Sequence, residues 1–98
     1  VIMAITNIAT PVAGAGQTVA YTGTHGVITN ALPADCRCVR VVCTTAAFIE
    51  IGPSPTAVAN TGTFVAANVP EYFQCGPNAK VSAVQVASGG SLYVVPCF

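Results

Sequence analysis

Cys38-Val39-Arg40-Val41-Val42-Cys43-Thr44-Thr45 decides the fold class. In an extended chain Val39, Val41 and Cys43 point one way, while Cys38, Arg40, Val42 and Thr44 point the other, the period of a strand with one buried face. β-Branched side chains dominate the run; they suit a pleated surface better than a helix. The alternation resumes at once, with Ala47, Ile49 and Ile51 on one face and Phe48 and Glu50 opposite.

Toward the N-terminus, Asn30 to Asp35 reads as a loop. Val27-Ile28-Thr29 and Thr18 to Thr22 read as strands joined through Gly23-Thr24-His25-Gly26. Residues 6 to 18, broken by Pro11, Gly14 and Gly16, form an irregular arm or an interrupted edge strand. Toward the C-terminus, Pro53 and Pro55 cannot donate to a ladder, so Gly52 to Pro55 is a loop. Thr63 to Ala67 and Tyr72 to Cys75 are short strands, and Gly76-Pro77-Asn78 is a turn. Lys80 to Ala87 and Ser91 to Val95 are the last two strands. The Gly89-Gly90 pair between them predicts a β-hairpin, since both residues adopt positive φ without steric cost. The expectation is an all-β, compact single-domain β-sandwich or jelly roll of about 7–8 short antiparallel strands. Residues 1–17 form its N-terminal arm or edge segment, and residues 18–98 the sandwich. A small barrel is the competing arrangement.

Ninety-eight residues hold one hydrophobic core. Hydrophobic residues make up 53% of the chain and charged residues 6%, with Arg37, Arg40 and Lys80 balancing Asp35, Glu50 and Glu71. A phosphate-binding surface needs clustered Lys and Arg, so no nucleic-acid partner is expected. Disorder needs low hydrophobicity or high net charge. A spanning helix needs about 18 consecutive apolar residues, and Thr, Gly, Pro or Asn interrupts every run, so no membrane partner is expected either. The first basic residue is Arg37, which argues against a secretory signal; Val1 and Ile2 precede Met3, leaving Met3 or an upstream codon as the start. A neutral surface poor in charge favours association, and a self-associating dimer or trimer is expected.

Cys36, Cys38, Cys43, Cys75 and Cys97 are the obvious reactive groups. Their spacing, C-x-C and C-x₄-C sharing one cysteine, is unlike the paired knuckles of structural zinc. A disulfide framework suits an oxidising compartment and leaves one thiol over. The preferred reading is small buried hydrophobes. His25 stands in a glycine-rich turn, where a solvated loop residue outweighs a Cys–His pair oriented by Asp35. No serine has a nucleophile-elbow context. Gly14-Ala15-Gly16 lacks the helix and lysine of a phosphate loop. Arg40 and Glu50 are expected as a cross-strand pair if their segments form a hairpin, within one chain in preference to a subunit contact. Tyr21, Tyr72 and Tyr93, with four phenylalanines, are read as core and interface residues ahead of a carbohydrate platform. No catalytic, cofactor-binding or metal residue is assigned, and no enzyme is expected.

Phe48-Ile49-Glu50-Ile51-Gly52 with Pro55-Thr56-Ala57, Pro70-Glu71-Tyr72-Phe73, Pro77-Asn78-Ala79-Lys80-Val81-Ser82-Ala83-Val84-Gln85 and Gly89-Gly90-Ser91-Leu92-Tyr93-Val94 together resemble small virion proteins of tailed bacteriophages, head cement or decoration proteins among them. The resemblance spans roughly residues 38 to 95. Asn78 stands where that pattern has glycine, and asparagine also tolerates a left-handed backbone. The resemblance implies a non-enzymatic capsid protein that oligomerises, binds the major capsid protein and sits on the outer surface of a virion assembled in the host cytoplasm. A tail or head-fibre adaptor is the nearest alternative. A small carbohydrate- or receptor-binding module, with Tyr72 in its site, is the alternative of another class.

Overall fold

A computed structural model describes residues 10–98. Much of the expected N-terminal arm, residues 1–9, lies outside the described residues. Eight strands follow in chain order: β1 Gln17–Tyr21, β2 Gly26–Val27, β3 Cys38–Cys43, β4 Ala47–Gly52, β5 Thr63–Val65, β6 Glu71–Gln74, β7 Lys80–Gln85 and β8 Gly90–Cys97. They form two four-stranded sheets, β1-β8-β3-β6 and β2-β7-β4-β5, here called sheets A and B. Every strand pair within them is antiparallel. The pairs β1·β8, β2·β7, β3·β6 and β4·β5 are nested, first with last and inward to the centre. This is a long hairpin rolled up so that successive pairs alternate between sheets, and β8·β3 and β7·β4 complete each sheet. That connectivity is a jelly roll, one of the two architectures the sequence predicts.

Alternation along β3 builds the centre of the sandwich. Val39, Val41 and Cys43 are buried while Cys38, Arg40 and Val42 are partly exposed. Leu92 and Val94 of β8 join them from sheet A; Ala47, Ile49, Val65, Val81 and Ala83 face them from sheet B. Small side chains keep the sheets close, and Ile28 and Leu32 fill the remaining space from the β2–β3 connection. Their amides donate to Val81 O and Ala79 O, so this connection stays tied to sheet B without being a strand. Residues 10–12 run beside the end of β8: Val12 N donates to Pro96 O, and Pro11 bridges Cys97.

Two expectations are corrected by this topology. Gly89-Gly90 does not close a hairpin, because β7 lies in sheet B and β8 in sheet A. Neither glycine has positive φ; Gly14 is the one described glycine that does. Gly90 is required for close approach instead. A Cβ there would meet the Oγ1 atoms of Thr44 and Thr45 at 2.6 Å and the Tyr21 hydroxyl at 2.9 Å. Likewise β3 and β4 are not a hairpin, which removes the Arg40–Glu50 pair. Arg40 stands opposite Tyr72 and Val95 in sheet A, and Glu50 stands opposite Ser82 in sheet B. The other described left-handed positions are asparagines, at Asn60, Asn68 and Asn78. Asn78, at φ 58°, makes the turn expected of Gly76-Pro77-Asn78.

Candidate functional site

The outer faces of the two sheets differ. On sheet B, the 53–62 segment folds back over the strands. Ala57 N donates to Ser82 Oγ at 2.9 Å and Thr56 N to Glu50 Oε1 at 2.9 Å, with Pro55 and Ala57 buried. Ser82 and Val84 point outward from β7 yet are also buried, which explains why that strand is buried on both faces. Phe48 and Phe64 add an edge-to-face pair with centroids 6.0 Å apart. Sheet B therefore carries part of its own cover, with Phe64 left half-exposed beside it.

Sheet A presents a different surface. Side chains directly opposite on adjacent strands project to the same side. The register therefore sets Thr18, Tyr93 and Val42 in one row across β1, β8 and β3. Val95, Arg40 and Tyr72 make the next across β8, β3 and β6. Tyr93 is 49% exposed and Tyr72 54%, and Arg40 is the one charge in these two rows. Tyr21 behaves otherwise: it is buried, with its hydroxyl donating to Thr45 O at 2.6 Å and accepting from Thr45 N at 3.2 Å. The three tyrosines thus divide into one core anchor and two members of an outer face. Sequence alternation places each on a side of its own strand; only the ladder order β8-β3-β6 brings Tyr93 and Tyr72 onto one surface.

The cysteines are unbonded thiols in the structure, with Cys36, Cys43, Cys75 and Cys97 buried and Cys38 partly so. Burial raises the pKa of Cys43 above the ordinary thiol range, opposed by a hydrogen bond with Tyr21. Burial, with Cys36 beside it, raises that of Cys75; burial and the neighbouring Cys38 raise that of Cys97. These are thiols held protonated, the reverse of an activated nucleophile. His25 lies partly exposed in the β1–β2 turn, and Asp35 is exposed in the β2–β3 connection. Among the described residues no hydrogen bond joins His25 to a thiol or carboxylate, and no group of three or more His, Cys, Asp or Glu is arranged to hold a metal ion. A cleft of about 340 Å³ opens where β5 and β6 flank the sandwich, lined by Ile49, Glu50, Ile51, Thr61, Gly62, Thr63, Phe73 and Gln74. It holds a single carboxylate, already accepting from Thr56 N.

No family model matches the chain, and no curated protein or solved structure matches it.

Proposed function

We propose that this chain is a non-enzymatic bacteriophage structural protein, a capsid cement or decoration protein that self-associates and clamps major capsid subunits on the outer surface of the virion. The observation that carries the reading is the outer face of sheet A: two half-exposed tyrosines with Val42, Val95 and Thr18 around one arginine, in a chain of zero net charge. Rigid aromatic anchors beside a single guanidinium are what protein interfaces favour over ordinary surface. The likeness of residues 38 to 95 to phage virion proteins supports the same reading. Jelly rolls serve in capsids, but also in lectins and cupins, so the fold alone does not choose.

Covering this face removes on the order of 200 Å² of apolar surface, roughly 5 kcal/mol at 25 cal/mol per Å². Association costs about 4–15 kcal/mol, so one such contact is weak. A repetitive shell overcomes that by avidity, since a self-associated protein engages several subunits at once. The test is co-sedimentation of the purified chain with shells assembled from the major capsid protein of the source phage. Saturable binding at a simple stoichiometry, abolished by Tyr93→Lys and retained by Phe64→Lys, is expected; absence of binding by the folded wild-type chain overturns the proposal. A tail or head-fibre adaptor would use the same face at far lower copy number. The cleft, with Glu50, Gln74 and Thr63 beside Phe73, favours the carbohydrate-binding reading instead. Glycan binding lost on Gln74→Ala, with Tyr93→Lys silent, would establish that alternative.

A further inference from the structure

Four of the five cysteines converge at one end of sheet A, from three separate places in the sequence. Cys36 lies two residues before β3, Cys38 opens that strand, Cys75 immediately follows β6, and Cys97 closes β8. Two contacts organise them. The Sγ atoms of Cys36 and Cys75 lie 3.5 Å apart, both buried, across 39 residues of chain. Cys38 and Cys97 are directly opposed in the β3–β8 ladder. The backbone around the first pair is fixed on both sides: Cys75 N donates to Arg37 O at 3.1 Å and Arg37 N to Cys97 O at 3.0 Å. At 3.5 Å the two sulfurs stand about 1.5 Å beyond the S–S bond length of about 2.05 Å, on a hydrogen-bonded frame.

We propose that Cys36 and Cys75 form a disulfide that staples the edge strand β6 to the start of β3. The oxidant is an external disulfide, RSSR. One cysteine thiolate attacks it, releasing RSH and leaving a mixed disulfide. The second thiolate then displaces the remaining RS group, which leaves as a second RSH. Two thiols lose two hydrogens and two electrons, and RSSR gains both. Because the pair is buried, the first attack waits for local opening, and β6 is the element to open: it is four residues long and lies at the edge of sheet A. Once formed, the bond closes a long loop and removes entropy from the unfolded chain. In the other pair the Cys97 thiol donates to Val95 O at 3.6 Å and Cys38 is partly exposed, so the buried Cys36–Cys75 pair is the staple proposed.

The experiment incubates the reduced wild-type chain with oxidised glutathione, then combines peptic mapping by mass spectrometry with thiol titration in denaturant. The expected product is a Cys36–Cys75 linked peptide, three titratable thiols instead of five, and a thermal midpoint raised by at least about 5 °C. Cys75→Ala and Cys36→Ala should each abolish the linkage and the gain. Five thiols after exhaustive oxidation overturn the proposal. So does arrest at a glutathione adduct, or Cys38–Cys97 as the dominant linkage. Wild-type mapping decides the matter even where a variant fails to fold.

Discussion

Tyr21 is the side chain on which one end of the sandwich turns. It leaves β1 and reaches the β3–β4 connection. There its hydroxyl donates to Thr45 O, accepts from Thr45 N and touches Thr45 Oγ1 at 2.9 Å. Gly90, its ladder partner, leaves the room that this cluster occupies. Tyr21→Phe keeps the ring and leaves Thr45 N and O without this partner, at a cost of about 1–3 kcal/mol. In a domain of this size each kcal/mol lowers the thermal midpoint by about 4–8 °C, so thermal denaturation should show a clear fall. An unchanged midpoint would contradict the role given to the hydroxyl. The thiols make a second statement at this scale. Cys43, Cys75 and Cys97 have folded-state pKa values above those of the unfolded chain. For an acid whose folded pKa is raised, the unfolded chain releases its proton first. The associated stability is therefore complete below the unfolded thiol value near 9 and declines as pH rises above it. Each titrating thiol contributes a slope of about 1.4 kcal/mol per pH unit in that window. Urea denaturation of the reduced protein should show stability falling from pH 9 to 10, and a flat profile there would contradict the burial of these groups.

Among the elements, β3 and β4 are legible from sequence because each has one wet and one dry face, and alternation reports that directly. Asn78 is another local success. It holds φ 58° between β6 and β7, so Asn78→Gly should leave stability near wild type. Asn78→Val forces a β-branched residue into the left-handed region and should destabilise by about 1–3 kcal/mol, read as a lower urea midpoint. Equal stability of the two variants would contradict the turn. What sequence did not reveal is which strands are neighbours. Gly89-Gly90 between two apolar runs looks like a hairpin because local chemistry cannot tell a tight turn within a sheet from a crossing between sheets. The Arg40–Glu50 expectation failed for the same reason. β7 is equally opaque to sequence: Ser82 and Val84 point outward yet are buried, Ser82 accepting from Ala57 N of the 53–62 segment, and no periodicity encodes a loop folding back.

At the scale of the molecule, nested pairing brings the first described residues, 10–12, against the end of β8. It also gives the two sheets unequal exteriors. Sheet B covers part of its outer face with its own loop and leaves Phe64 half-exposed, whereas sheet A presents Tyr72 and Tyr93 on the strands that β3 joins. Zero net charge and scarcity of charged residues raise the expectation of a protein that lies against something. The face proposed for contact is not legible in the sequence, because Tyr72 and Tyr93 lie far apart along the chain and share a surface only through the register of three strands. The cysteine cluster is hidden in the same way, since Cys36 and Cys75 become neighbours only when β6 pairs with β3.

The proposed function makes this chain a component of a viral shell. Quantitative mass spectrometry of purified phage particles from the source culture tests it most directly, by counting copies of this chain against the major capsid protein. A ratio near one, or a simple fraction of it, is the predicted result. Complete absence from the particles would contradict the claim.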